Sequence, residues 1–100
     1  MLEGRLYERI SKEAICPPGD YISEELEARG LDPKGFADTI GIPLNNMLGI
    51  LQGKGGYSYD TAERIARAFG TSVTIWVLLQ GRWLVHQEKM GMRPMIYPRV

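Results

Sequence analysis

The chain has 100 residues, with 12 basic and 12 acidic side chains and a formal charge of zero. That length excludes two ordinary domains, and an apolar content of 44% excludes disorder throughout. A neutral total argues against a general polyanion binder, which carries a visible cationic excess, so any nucleic-acid role rests on local charge placement.

The first predicted element is a helix with Leu2, Leu6 and Ile10 on one face, at i, i+4 and i+8. Pro17-Pro18-Gly19 stops it, because two prolines remove two backbone donors. Asp20 is the expected cap of a second helix, with Ile22 and Leu26 inward and Gly30 at its end. Asp32-Pro33 opens a third, a cap followed by proline at the first helical position. Phe36, Ala37 and Ile40 face inward there, and Gly41 breaks it.

A fourth helix is expected from about Pro43 to Gln52, with Met47, Ile50 and Leu51 as its stripe. Gly53-Lys54-Gly55-Gly56 reads as a flexible loop. Ser58 caps a fifth helix, whose inward face is Ala62, Ile65, Ala66 and Phe69 before Gly70. Thr71-Ser72 caps a sixth, from Val73 to about Gln87. The tail from Glu88 to Val100 holds Pro94 and Pro98 around Met95-Ile96-Tyr97 and is expected to be extended or an edge strand. The fold class is all-α, divided as an N-terminal helix or arm over 1–16, a helical domain over 17–87 and a tail over 88–100.

Charge is uneven along this plan. Residues 1–30 hold four basic and seven acidic groups, residues 31–57 hold two of each, and residues 58–100 hold six basic and three acidic groups. The neutral total therefore hides an acidic front and a basic back.

Catalytic and metal-binding signatures are not found. The sequence has no Gly-x-Ser-x-Gly, no P-loop and no His-Glu-x-x-His, and Glu24-Glu25 point in different directions on a helix. Cys16 and His86 are the only soft ligands, too far apart in sequence for a structural zinc site, and Cys16 alone forms no internal disulfide. The longest apolar run, Ile75 to Leu79, is far too short to span a bilayer, and Met1 to Arg5 hold no apolar core of a secretory signal. The expectation is a cytoplasmic, non-enzymatic protein with no cofactor and no metal.

Two short helices joined by a tight glycine turn, Phe36 to Gly41 and Pro43 to Gln52, form a helix-turn-helix pattern. Pro17-Pro18-Gly19-Asp20-Tyr21-Ile22 and Glu24-Glu25-Leu26-Glu27-Ala28-Arg29-Gly30-Leu31 precede it. Phe36-Ala37, Ile40-Gly41-Ile42-Pro43 and Ile50-Leu51-Gln52-Gly53-Lys54 make up the pair. Ala62 to Ser72, Trp76 and Leu79-Gln80 follow it. In this order the chain resembles the Xre/Cro-type helix-turn-helix proteins of the HigA antitoxin group over roughly residues 17–87.

The resemblance implies a lambda-repressor-like domain of about five core helices. It further implies a homodimer, sequence-specific operator binding, transcriptional repression and a cognate toxin as partner. It places the start of the fourth helix in the major groove. Carried onto this chain, the DNA-binding residues are Lys34, Leu44, Asn45, Asn46, Leu48, Gly49 and Lys54. Asn is suited to adenine, and leucines suit thymine methyls. The family commonly carries Gln or Arg near Leu44, Ser or Thr near Leu48 and Arg near Gly49, and a phosphate-binding Gln where Pro33 stands. These departures leave a greasy, neutral reading unit, so the alternative is a protein-interaction or assembly module on the same fold that has lost DNA reading.

The sixth helix is apolar on more than one face. Ile75, Trp76, Leu78, Leu79 and Trp83 are the expected dimer interface, with the N-terminal helix folding back over this surface as the competing arrangement. Arg64 and Arg67 read as a solvated face paired with Asp60 and Glu63, while Arg93 and Arg99 in the tail are candidates for backbone contacts.

Overall fold

A computed structural model of the chain describes residues 2–12 and 14–91. They form six helices: α1 (Leu2–Lys12), α2 (Pro18–Arg29), α3 (Pro33–Ile40), α4 (Leu44–Leu51), α5 (Tyr59–Phe69) and α6 (Val73–Lys89). All six expected helices are present. The segment from Met95 to Tyr97, together with Arg93 and Arg99, lies outside the described residues.

Local chemistry explains most boundaries. Asp32 accepts a hydrogen bond from the Gly35 amide at 2.6 Å, and Ser58 accepts one from Thr61 N–H at 3.2 Å, each satisfying an orphan donor of the first turn. Gly41 closes α3 at φ 76°, a left-handed geometry that costs a side-chain-bearing residue more than glycine.

Three boundaries differ from the sequence reading. Asp20 is not a cap: Pro17 occupies that position, Pro18 starts α2 and Asp20 sits within its first turn. Helix α6 extends to Lys89, so Glu88 and Lys89 are helical rather than extended. Ser72 occupies the cap position of α6, but its side chain makes no capping bond of its own. Glu3, from α1, reaches across instead. Its carboxylate accepts from the Ser72 amide at 2.6 Å and from the Ser72 hydroxyl at 2.9 Å. A carboxylate there also faces the positive end of the helix dipole.

The core gathers the expected inward faces. Ile22 and Leu26 of α2, Phe36 and Ala37 of α3, Met47 and Ile50 of α4, and Ala62, Ile65, Ala66 and Phe69 of α5 are all buried, as is Trp76 of α6. Full burial of one such aliphatic or aromatic side chain stabilises by roughly 1.5–3 kcal/mol. Phe36 and Phe69 stack with ring centroids 4.9 Å apart, and Trp76 lies 5.7 Å from Phe69. Leu6 is buried in the same core, with Leu2 and Ile10 packed against it. Arg9 pairs with Glu24, and Arg82 donates to the Ile10 carbonyl at 3.1 Å. Helix α1 therefore folds back over α2 and one side of α6, while Leu78 and Val85 on the other side of α6 stay exposed.

Candidate functional site

Helix α4 is eight residues long, and its seat is built from backbone contacts. Gly19, near the start of α2, lies so close to α4 that an added Cβ would sit 2.1 Å from the Ile50 carbonyl oxygen. No other residue permits that approach. At the other end, Arg64 of α5 donates to the Ile40 carbonyl at 2.9 Å and to the Gly41 carbonyl at 3.4 Å, while its Nε pairs with Asp60 at 3.0 Å. Arg64 thus ties the turn between α3 and α4 to α5, and Arg67 pairs with Glu63 at 3.6 Å.

With Met47 and Ile50 buried, a rotation of about 100° per residue turns Asn45, Leu48, Gly49 and Gln52 outward as one ridge. Asn45, Asn46 and Gln52 are exposed, Leu44 is 38% exposed, and Leu48 and Gly49 are half-buried. A helix this apolar is normally buried, yet α4 keeps this face uncovered. The cap position of α4 is Pro43, so neither asparagine is spent on capping.

Beside the ridge lies a groove of about 280 Å³, lined by Asn45, Asn46, Gly49, Lys54, Tyr57 and Thr61. The loop that forms its far wall is held at both ends. The Lys54 and Gly55 amides donate to the Gly49 carbonyl at 2.9 and 3.0 Å. Gln80 of α6 accepts from Tyr57 N–H at 2.7 Å and donates to the Tyr57 carbonyl at 2.8 Å. The Tyr57 hydroxyl donates to the Trp76 carbonyl.

The two lysines assigned to DNA differ. Lys54 is exposed and has no ion-pair partner among the described residues. Lys34 pairs with Asp38 at 2.9 Å. Its hydrogen bond to Asp38, with that carboxylate's charge and a smaller contribution from Asp32, holds the ammonium above its usual pKa. Its charge is already shared with a carboxylate.

Of the seven residues assigned to DNA, Leu44, Asn45, Leu48 and Gly49 lie along one side of α4, with Asn46 and Lys54 at the groove; Lys34 stands apart on α3. Gln52 and Thr61 were missed as site residues. The same helical spacing that groups Asn45, Leu48 and Gly49 finds Gln52, whereas Thr61 is joined to them only by the fold.

The expected dimer set is split. Ile75, Trp76, Leu79 and Trp83 point into the chain's own core, and Leu78 alone of the five is exposed. The reason is register: positions 75, 76, 79 and 83 share the face that packs on α5 and α1. Leu78 belongs to the opposite face, where it lines an open apolar groove of about 460 Å³ with Ile15 and Val85.

No cluster of metal-ligating side chains occurs among the described residues, and no described helix is long and apolar enough to cross a membrane.

No family model matches the sequence. No curated protein sequence matches it either. Solved structures do. The Pseudomonas aeruginosa antitoxin HigA, solved with the higBA promoter, superposes with a TM-score of 0.74 at 24% identity, over 78% of this chain and 86% of that one. Another structure from Pseudomonas aeruginosa, solved with its 18-bp operator DNA, gives 0.68 at 23% identity over 82% and 98%. At those identities the likeness establishes the fold. An addiction module antidote protein of the HigA family from Coxiella burnetii is closer in sequence, at 30% identity over 79% of this chain and 89% of that one, with a TM-score of 0.68. This level of identity along most of both chains, on a shared fold, establishes that the chain belongs to the HigA family of helix-turn-helix antitoxins.

Proposed function

We propose that the protein is a sequence-specific DNA-binding repressor of antitoxin type, non-enzymatic and cytoplasmic, that lays α4 in the major groove of operator DNA. The observation that carries this reading is the outward ridge of α4. Asn45, Gln52 and Leu44 face solvent, with Leu48 half-buried beside them, on a helix whose other side is locked into the core. A buried-core role would need this ridge covered. Two solved structures of the same fold were determined with promoter or operator DNA, which supports DNA as the ligand. Lys54 and the loop it stands on are suited to a flanking phosphate.

The reading includes a homodimer, because two copies cover half-sites one helical turn, about 34 Å, apart and double the contacts of a weakly charged unit. The exposed side of α6, with Leu78 and Val85, supports such an interface better than the inward residues of the same helix. A toxin protein is the second partner expected of an addiction-module antidote.

The test is a titration of the DNA upstream of the gene against unrelated DNA at several salt concentrations. A clear preference for the upstream DNA is expected. Equal binding of both at low salt would leave the protein-interaction alternative, which the exposed Leu44 favours.

A further inference from the structure

The composition of the α4 ridge restricts which bases it can read; this rests on the proposal that the ridge enters a major groove. Guanine is read from the major groove chiefly by Arg or Lys, bonded to O6 and N7 together. Helix α4 carries neither. Its outward polar groups are amides, Asn45 and, at its C-terminal cap, Gln52. A primary amide matches adenine, donating to N7 while accepting from the N6 amino group. Its outward apolar groups are Leu44, which is 38% exposed, and the half-buried Leu48. Thymine is the one base that offers a methyl group in the major groove.

The middle of the ridge is Gly49, where an added Cβ would meet nothing closer than the Gly55 amide nitrogen at 3.9 Å. The helix therefore presents bare backbone there, with no side chain to read a guanine or cytosine edge. From Asn45 to Gln52 the axis advances about 10 Å at 1.5 Å per residue. That covers about three base-pair steps at 3.4 Å each.

We propose that each half-site read by α4 is a run of three or more A·T pairs. Asn45 and Gln52 bond adenine, and Leu44 and Leu48 pack on thymine methyl groups. Lys54, on the loop past the end of the helix, contacts a phosphate.

The experiment is selection by the full chain from a random duplex library at low salt, followed by base substitution in the selected site. The expected pool carries A·T runs spaced as half-sites. Replacing thymine by uracil removes only the methyl group and is expected to lower affinity about 4-fold per contacted methyl, the worth of one buried methylene. Replacing adenine by 7-deazaadenine removes N7 and is expected to cost about 10-fold at the position read by Asn45. Leu48→Ser should become insensitive to one uracil substitution, and Asn45→Ala to the 7-deaza substitution. A G·C-rich pool overturns the inference. So does an A·T pool whose affinity neither analogue changes, since the DNA would then be read by shape alone. Retention of no DNA overturns the DNA-binding reading itself, whereas retention of DNA without an A·T run overturns only this inference.

Discussion

Gln80 fixes both backbone groups of Tyr57, and Tyr57 anchors the loop that carries Lys54. Replacing Gln80 with Leu strips a buried N–H and a buried C=O of their partners, each loss being worth about 1–3 kcal/mol. Urea unfolding of Gln80→Leu should show a loss of about 2–4 kcal/mol; a loss below about 1 kcal/mol would mean that water replaces the amide. Gly19→Ala forces α2 away from the Ile50 carbonyl and is expected to cost about 1–3 kcal/mol by the same measurement, as overpacking does. Neither role is legible in sequence. Gly19 reads there as part of a Pro-Pro-Gly stop, and Gln80 as one polar residue in an apolar helix. Both depend on a partner 23 or more residues away, and periodicity carries no information about such pairs. The resemblance pointed to Leu44, Asn45, Asn46, Leu48 and Gly49; with Met47 and Ile50 buried, rotation about the helix adds Gln52 to the same side.

At the level of elements, all six helices followed from spacing and punctuation. The cap residues Asp32 and Ser58, the glycines that end α2, α3 and α5, and the apolar stripes agree with one another, and such agreement between local and global signals is what makes a fold readable. Helix α6 was the exception. Its apolar residues run around most of the helix, so the pattern did not show which side meets the core. The long-range cap from Glu3 settles where α1 sits, and no local rule anticipates a capping acceptor 69 residues away. Glu3→Ala should lower stability by about 1 kcal/mol, the usual worth of a cap, and release α1, seen as faster amide exchange over Leu2–Lys12. Unchanged exchange there would show that Leu6 alone holds α1. In α4, Gly49→Ala should act in two directions. It should raise thermal stability, by up to about 1 kcal/mol of helix propensity, because the added methyl makes only an ordinary contact, 3.9 Å from the Gly55 amide nitrogen. It should weaken operator binding, because the same methyl stands on the ridge.

For the whole molecule, the zero net charge matters less than where free cations lie. Lys34 is tied to Asp38, Arg64 to Asp60 and Arg67 to Glu63, which leaves Lys54 as the free cation beside α4 among the described residues. A plot of log affinity against log salt should therefore be shallow, with a slope of about −1 to −2 per protomer. A slope steeper than about −4 would assign the backbone contacts to other cations, Arg93 and Arg99 of the tail among them. Assembly belongs to this scale too. Leu78→Asp, on the exposed side of α6, should yield a monomer in light scattering with the helical content intact; a persistent dimer would move the interface elsewhere. Contact between the outward ridge of α4 and base edges is tested by the affinity of Asn45→Ala for the DNA upstream of the gene, measured by fluorescence anisotropy beside the unsubstituted chain. A loss of about 10-fold or more with unchanged thermal stability is expected; equal affinity in a folded variant would show that the ridge does not touch the bases.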